Sequence, residues 1–428
     1  MNEIEAVGAE AILDPLAQGG AVAGKERPWL YALLIAPSAV LANGVIQGGV
    51  LAYLMRQQGI GIGRISHIIS LLALPTMIYF LWSPITDFMV RRRTWLLLGA
   101  VSAGVLVAAA FDFSRLDSRS AMVLMFLGAC CSQLVVSSCG GIMGMLHMER
   151  SRRVAGSFYQ GGSMAFGAAA VFVLVLLCER VKHGTLGLLA GALIMAPALF
   201  ALATPKQDVV VEDGFGRTMR RVWSEFKVTF LRWRAIPYTL VVVFPMASGA
   251  AIGLLPGVAR EYGVNGEHVA WVNGLAGALL MAAGSLAATL IPARIRAAVA
   301  YLSVGLVNAG ALVVLWLGPL TPTTYYVGLT LYLFTIGTGY AMFTAVVLEF
   351  LGRSGKSGSG RYSIINSLGN VPVLYMLVLD GWGGDRWGAR GLAGTEAVVG
   401  AIGATILLAY FLTRKKDEAA AEGIAVAE

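Results

Sequence analysis

The sequence predicts an all-α polytopic membrane protein with twelve transmembrane helices in two bundles of six. Three observations support this fold class. Hydrophobic residues make up 57% of the 428 residues, charged residues only 13%, and mean hydropathy is +0.74. Apolar runs long enough to cross a bilayer recur along nearly the whole chain. The alternating pattern of a membrane β-barrel is absent, and a helix satisfies its own backbone groups in lipid.

The apolar runs form two groups of six, separated by the longest polar stretch. The first group predicts spans at 29–55, 65–86, 94–111, 120–146, 154–178 and 185–203. The second group predicts spans at 236–258, 267–290, 297–318, 325–351, 362–380 and 395–413. The expected organisation is an N-terminal tail (1–28), a first bundle (29–203), a linker with an amphipathic helix (204–235), a second bundle (236–413) and a C-terminal tail (414–428).

The distribution of positive charge predicts the orientation. An even number of spans puts both termini on one side, and 23 of the 32 Lys and Arg residues fall on that side. The positive-inside rule therefore places both tails in the cytoplasm. The net charge of +8 is then a topology signal, and we expect no nucleic-acid partner. The expected location is the cell inner (plasma) membrane, with the lipid bilayer as partner.

A charged motif follows the second predicted span. Residues 82–93 read Trp-Ser-Pro-Ile-Thr-Asp-Phe-Met-Val-Arg-Arg-Arg. An acidic residue followed by a basic cluster at this point resembles the major facilitator superfamily, and the proline, aspartate and arginines resemble its muropeptide-permease and acetyl-CoA-transporter branch. The resemblance implies a gate that holds the two halves together through the start of span 11, formed by Asp87, Arg91, Arg92 and Arg93. The alternative is that Asp87 only caps exposed arginines.

Two further segments are similar to the same branch. One is Gly339-Tyr340-Ala341 followed by residues 361–368, and the other is Ser132-Gln133 followed by residues 153–156. Where relatives often have aspartates in span 4, this chain has Leu134 and Ser138. The superfamily resemblance covers about 29–413, and it does not carry the identity of a substrate with it.

The resemblance implies a secondary active or facilitative transporter that works by alternating access. Its expected substrate is a small polar or amphiphilic organic solute, such as a muropeptide or other sugar-peptide, or a siderophore, with uptake favoured over export. The alternative is a non-transporting protein of the same fold that helps assemble membrane or pigment complexes. We expect no enzyme, because hydrolase, metalloprotease and phosphate-loop motifs are missing. We also expect no cofactor and no metal, and a monomer.

Polar pairs near the middle of several spans are the candidates for substrate binding. Residues four apart share one face of a helix, and the superfamily resemblance implies that the spans concerned face a central cavity. The candidates are Asn43, Gln47, Gln133, Ser137, Tyr159, Gln160, Tyr340, Thr344, Asn366 and Asn370. The competing interpretation is that these groups bridge helices, at about 0.6 kcal/mol each.

Coupling to protons requires a titratable group within the membrane. The predicted spans have no carboxylate at their middle, and Glu179 and Asp380 are expected near outer ends. Glu349, one turn inside span 10, is the candidate for proton coupling. Its alternative role is an ion pair with Arg353 at i+4, so a carrier independent of protons is the second possibility.

Overall fold

A computed structural model describes residues 27–79, 85–87, 90–144, 146, 149–204, 220, 223–224, 236–292, 294–351, 365 and 367–425. All regular elements within these ranges are helices, which confirms the predicted fold class. The N-terminal tail to residue 26 and most of the predicted linker lie outside the described residues.

The first half contains six helices. α1 is Leu30–Gln57 and includes a π-helical segment, Ala39–Ile46. The others are α2 (Ile62–Met77), α3 (Arg92–Phe111), α4 (Arg119–Gly144), α5 (Glu149–Leu177) and α6 (His183–Ala198). A short 3₁₀ turn, Ile85–Asp87, precedes α3.

The second half begins with an interrupted helix. α7 consists of α7a (Ile236–Val243) and α7b (Ala250–Val258). The others are α8 (Gly266–Leu290), α9 (Ala297–Leu317) and α10 (Pro322–Leu351). The last helical segment, Val371–Ala425, is broken by non-helical backbone at Trp387 and Gly388, so we divide it into α11 (371–386) and α12 (389–425).

Nine segments of the described residues are long and apolar enough to span a membrane. One of them, Val371–Thr413, contains both α11 and α12. Together with the shorter α2 and the interrupted α7, these segments are compatible with twelve passes. The count of twelve and the cytoplasmic termini remain predictions.

The predicted loop between spans 11 and 12, residues 381–394, is wrong, because helix covers almost all of it. Its charged side chains suggested solvent, but Asp385, Arg386 and Arg390 have partners within the protein. Asp385 accepts a hydrogen bond from the Gly63 N–H at 2.8 Å. Arg386 stacks on Trp382 at 4.4 Å from the ring centroid, and Arg390 donates to the Gly318 carbonyl at 3.0 Å.

The seventh predicted span, 236–258, is interrupted near Pro245. The chain leaves helical geometry between α7a and α7b, where Ala247 and Gly249 have φ values of 46° and 75°. A break inside a membrane exposes backbone groups that need partners. Tyr375 donates to the Val243 carbonyl at 2.8 Å, and Tyr301 donates to the Met246 carbonyl at 2.9 Å.

Candidate functional site

The two halves share one continuous apolar core at one end of the bundle. We call this the closed end; it carries the turns near residues 58–61, 112–118, 263–265 and 387–388. A single buried cluster there joins residues of both halves, among them Leu51, Ile62 and Ile69 with Leu255, Val258 and Leu392. The halves are therefore packed together at the closed end.

At the opposite end the apolar core is divided. We call this the open end; it carries the start of α3 and the end of α10. One cluster contains only first-half residues, including Tyr31, Leu34, Leu96, Val135 and Ala155. Two others contain only second-half residues, including Val241, Val346 and Leu407 in one and Val242, Val347 and Ile365 in the other. Among the described residues, each half therefore has its own core at this end.

Small residues allow α2 and α11 to touch at the closed end. A Cβ atom added to Gly381 would overlap the Ser66 side chain and lie 3.2 Å from the Gly63 Cα. Deeper in the same interface, Ser70 donates to the Leu374 carbonyl at 2.9 Å. Close backbone approach of this kind needs glycine, since any side chain would separate the helices.

A polar layer lies over this packing. Glu179 accepts hydrogen bonds from Tyr53 at 2.9 Å and from Arg260 of the other half at 3.2 Å. Arg56 pairs with Glu261 across the halves at 3.3 Å, with side chains 38% and 30% exposed. Exposed ion pairs contribute about 0–1 kcal/mol each. The apolar core and the glycine packing beneath are therefore expected to contribute more to closure than these ion pairs do.

The first-half candidates lie mainly along α1 and α5. Asn43 is exposed, within the π-helical segment of α1, and its Nδ2 donates to the Ser163 Oγ at 2.9 Å. Gln160 is also exposed, whereas Gln47 and Tyr159 are half-buried. π-Helical turns within α-helices are frequent at functional sites.

The second-half candidates lie on α10 and at the start of α11. Tyr340 is 37% exposed, and its hydroxyl lies beside the break in α7, 2.8 Å from where a Cβ on Gly249 would be. Thr344 is exposed and donates to the Tyr340 carbonyl at 3.1 Å. Asn370 is half-buried. Asn366 lies outside the described residues.

Gln133 and Ser137 occupy a different environment. Gln133 is 2% exposed, and its Nε2 donates to the Thr76 Oγ1 and the Ser132 Oγ, both at 3.4 Å. Ser137 is buried, and its hydroxyl has no hydrogen-bond partner among the described residues. In this conformation the α4 pair is buried between helices, whereas Asn43, Gln160, Tyr340 and Thr344 are exposed.

The basic cluster of the predicted gate lies at the start of α3. Arg91 is exposed, and Arg93 is half-buried. Arg92 donates to the Gly141 carbonyl at 2.7 Å, which ties α3 to the end of α4. The side chains of Asp87 and of the proton-coupling candidate Glu349 lie outside the described residues.

A buried polar cluster in the second half was missed by the sequence analysis. Asp380 is 0% exposed and Glu396 is 2% exposed. Both lie inside helices, since α11 and α12 extend to the kink at Trp387. The sequence hides this depth because each carboxylate stands at the edge of a predicted span. A short break between spans 11 and 12, placed at the non-helical residues Trp387 and Gly388, would have put both carboxylates inside the spans.

Comparison with known proteins decides the family. Residues 33–373 match the family described as Major Facilitator Superfamily. The chain belongs to this superfamily. Family membership indicates a membrane transporter and argues against an enzyme. The muropeptide-permease and acetyl-CoA-transporter branch of the superfamily remains a prediction, and no curated protein sequence matches the chain.

Solved structures with a similar fold include several transporters. One is a D-xylose-proton symporter (TM-score 0.65, 11% identity, 89% of this chain and 95% of that chain). Another is nucleoside transporter NupG (0.63, 13%, 90% and 98%). A third is a bacterial homolog of the human lysosomal transporter Spinster, in an inward-facing and occupied conformation (0.62, 14%, 90% and 96%). At these identities the likeness concerns the fold of the superfamily.

Proposed function

We propose that this chain carries a small organic solute by alternating access, and that the described conformation is its inward-facing state. The supporting observation is the apolar core, which is continuous at the closed end and divided at the open end. A carrier that exposes a central site to one side at a time needs such an arrangement. The open end faces the cytoplasm if the arginines before α3 follow the positive-inside rule.

The expected substrate is uncharged at its point of recognition. The exposed substrate-binding candidates among the described residues are amides and hydroxyls, namely Asn43, Gln160, Tyr340 and Thr344. Such groups orient a polar molecule by hydrogen bonds within an otherwise apolar cavity. This chemistry suits a sugar-peptide, muropeptide or siderophore-like solute, and the branch resemblance favours uptake over export.

The proposed gate at the open end uses Asp87 with the arginines that follow it. In the inward-facing state we expect this gate to be parted. In the described conformation Arg92 donates a hydrogen bond to the Gly141 carbonyl of its own half. In the outward-facing state we expect Asp87 to meet the start of α11. Glu349 remains a candidate for proton coupling.

Counterflow in proteoliposomes tests the proposed function. Purified protein is first screened by thermal shift against sugar-peptides and siderophores, because a specific ligand stabilises the native state. The stabilising compound is then used inside the vesicles, and a carrier accumulates the labelled compound from outside. If a compound stabilises the protein and no exchange occurs, the alternative of a non-transporting assembly factor is supported and the carrier function is rejected.

The Asn43→Ala variant is expected to weaken binding of the stabilising compound by about two- to tenfold, since one hydrogen bond contributes about 0.5–1.5 kcal/mol. The matched control is Ser303→Ala on α9, an exposed polar residue that bonds to its own helix at the Val299 carbonyl. Titration by thermal shift measures both affinities. An unchanged affinity for Asn43→Ala would remove this residue from the site.

A further inference from the structure

Glu396 lies at the N-terminus of the second half of the interrupted helix. Its Oε2 accepts a hydrogen bond from the Ala251 N–H of α7b at 2.9 Å, and its Oε1 accepts one from Ser248 at 2.8 Å. Tyr332 of α10 donates to the same carboxylate at 3.0 Å. Three donors and the positive end of a helix stabilise a buried negative charge. Glu396 is therefore equipped to be ionised.

Asp380 has no such support. It is 0% exposed, and neither of its carboxyl oxygens accepts a hydrogen bond from any donor among the described residues. α11 and α12 pack closely here, since a Cβ atom added to Gly383 would overlap the side chain of Thr395, and the charges of Asp380 and Glu396 interact. A buried ionised carboxylate without donors is costly, and a second negative charge beside it raises the cost further. A proton on Asp380 removes this charge and supplies the donor for a hydrogen bond to Glu396.

The groups that face the pair carry no positive charge. α10 contributes Tyr332 and Tyr340, α7 contributes Ser248 and the Ala251 N–H, and no cationic side chain is a hydrogen-bond or ion-pair partner of either carboxyl in the described part of the chain. The hydroxyl and N–H donors already point at Glu396. The oxygens of Asp380 could also face a metal cation, but the described part of the chain holds no group of three His, Cys, Asp or Glu side chains that could complete a metal site. A proton therefore suits this arrangement better than sodium does.

The pair also adjoins the closed end. Asp380 precedes Gly381, the residue that packs against Ser66 of α2. It lies seven residues before the kink at Trp387, which corresponds to about 10 Å of helix. If the closed end opens by separation of α2 from α11 at Gly381, water gains access to the adjacent Asp380.

We propose that Asp380 and Glu396 form a proton-binding site, in which Asp380 takes a proton from the aqueous phase at the closed end and must hold it for that end to close. Glu396 remains the fixed carboxylate, and the proton moves between water and an Asp380 oxygen. The coupling rests on the alternating access proposed above, whereas the presence of the proton does not.

Infrared spectroscopy of the purified full chain tests the proton directly. A protonated carboxylic acid has a C=O stretching band that an ionised carboxylate lacks. We expect such a band at neutral pH, shifted in D₂O and lost in Asp380→Asn. The control is Glu267→Gln, which removes an exposed carboxyl near the same end and should leave the band unchanged. A spectrum without the band, or a band that persists in Asp380→Asn, would overturn the proposal.

The pH dependence of closure tests the coupling. Spin labels at Ser120 and Thr323, both exposed at the closed end, report the distance between the halves. Because the closed form holds one more proton, the ratio of open to closed molecules should rise with pH by up to about tenfold per pH unit. In Asp380→Asn, which mimics the protonated group, the end should stay closed at every pH.

Glu396→Gln provides a second variant, because it removes the negative charge beside Asp380. We expect it to move the pH dependence to lower pH, because an ionised Asp380 then no longer faces a second negative charge, while Glu267→Gln retains the wild-type dependence. If the wild-type ratio does not change with pH, or changes with sodium at constant pH instead, the proposal fails. If these tests fail but counterflow is observed, the proton site is rejected and the carrier function is retained. If the infrared band is confirmed but counterflow is absent, the protein has the proton site without the proposed transport.

Discussion

Gly381→Leu should abolish transport and prevent the closed end from closing. The added side chain would occupy the place of the Ser66 side chain, and the Gly63 Cα lies only 3.2 Å from the new Cβ. Because both neighbours belong to α2 and one is backbone, neither can move without separating the halves. The variant should therefore fold within each half and remain open where the wild type is closed.

Alkylation of a cysteine at Ser70 measures this opening, in a background that lacks the four native cysteines. Ser70 faces α11 through its bond to the Leu374 carbonyl, so a thiol there should react faster in Gly381→Leu than in the otherwise wild-type chain. The control is Gly310→Leu on α9, because no atom lies within 4 Å of a Cβ at Gly310. Equal reaction rates in the two leucine variants would show that α2–α11 contact does not control closure.

Gly337→Leu should lower stability without favouring either conformation. A Cβ at Gly337 would overlap the Met281 carbonyl and lie 2.7 Å from the Met281 Cα. The same crossing of α8 and α10 is held by two reciprocal hydrogen bonds, from Ser285 to the Gly337 carbonyl and from Thr338 to the Gly284 carbonyl, both 2.9 Å. Overpacking against backbone costs about 1–3 kcal/mol or more.

Thermal unfolding in detergent measures this loss, with Gly310→Leu again as the control. The unfolding temperature of Gly337→Leu should fall clearly below that of the control. Since α8 and α10 belong to one half, the labelling pattern at the closed end should stay like that of the wild type in the fraction that remains folded. Equal unfolding temperatures would show that this crossing is looser than the structure indicates.

The sequence predicted the fold because hydrophobic length and charge asymmetry act locally. The predicted ends of helices were wrong where contacts with other helices determine them. Asp385 and Arg390 appeared to belong to a solvated loop, but Gly63 and Gly318 satisfy them, so α11 and α12 run almost into each other. The span predicted at 236–258 is broken near Pro245, and tyrosines of other helices satisfy the carbonyls that the break frees.

The candidate site was predictable only in part. A polar residue such as Asn43 is visible at mid-span, but whether it faces a cavity or a neighbour depends on packing, as the buried Gln133 illustrates. The pair of Asp380 and Glu396 was missed because span ends were misplaced by several residues. Sequence patterns do not predict which end of the carrier is open, since the same chain must form both the inward-facing and the outward-facing conformation.

The most direct test of alternating access measures both ends at once. Spin-label pairs at Ser120 and Thr323 for the closed end, and at Val154 and Ile295 for the open end, give two distances in the wild type and in Gly381→Leu. If the halves rock about a central site, the first distance should lengthen in the variant while the second shortens. A closed-end distance that lengthens with no shortening at the open end would contradict the account.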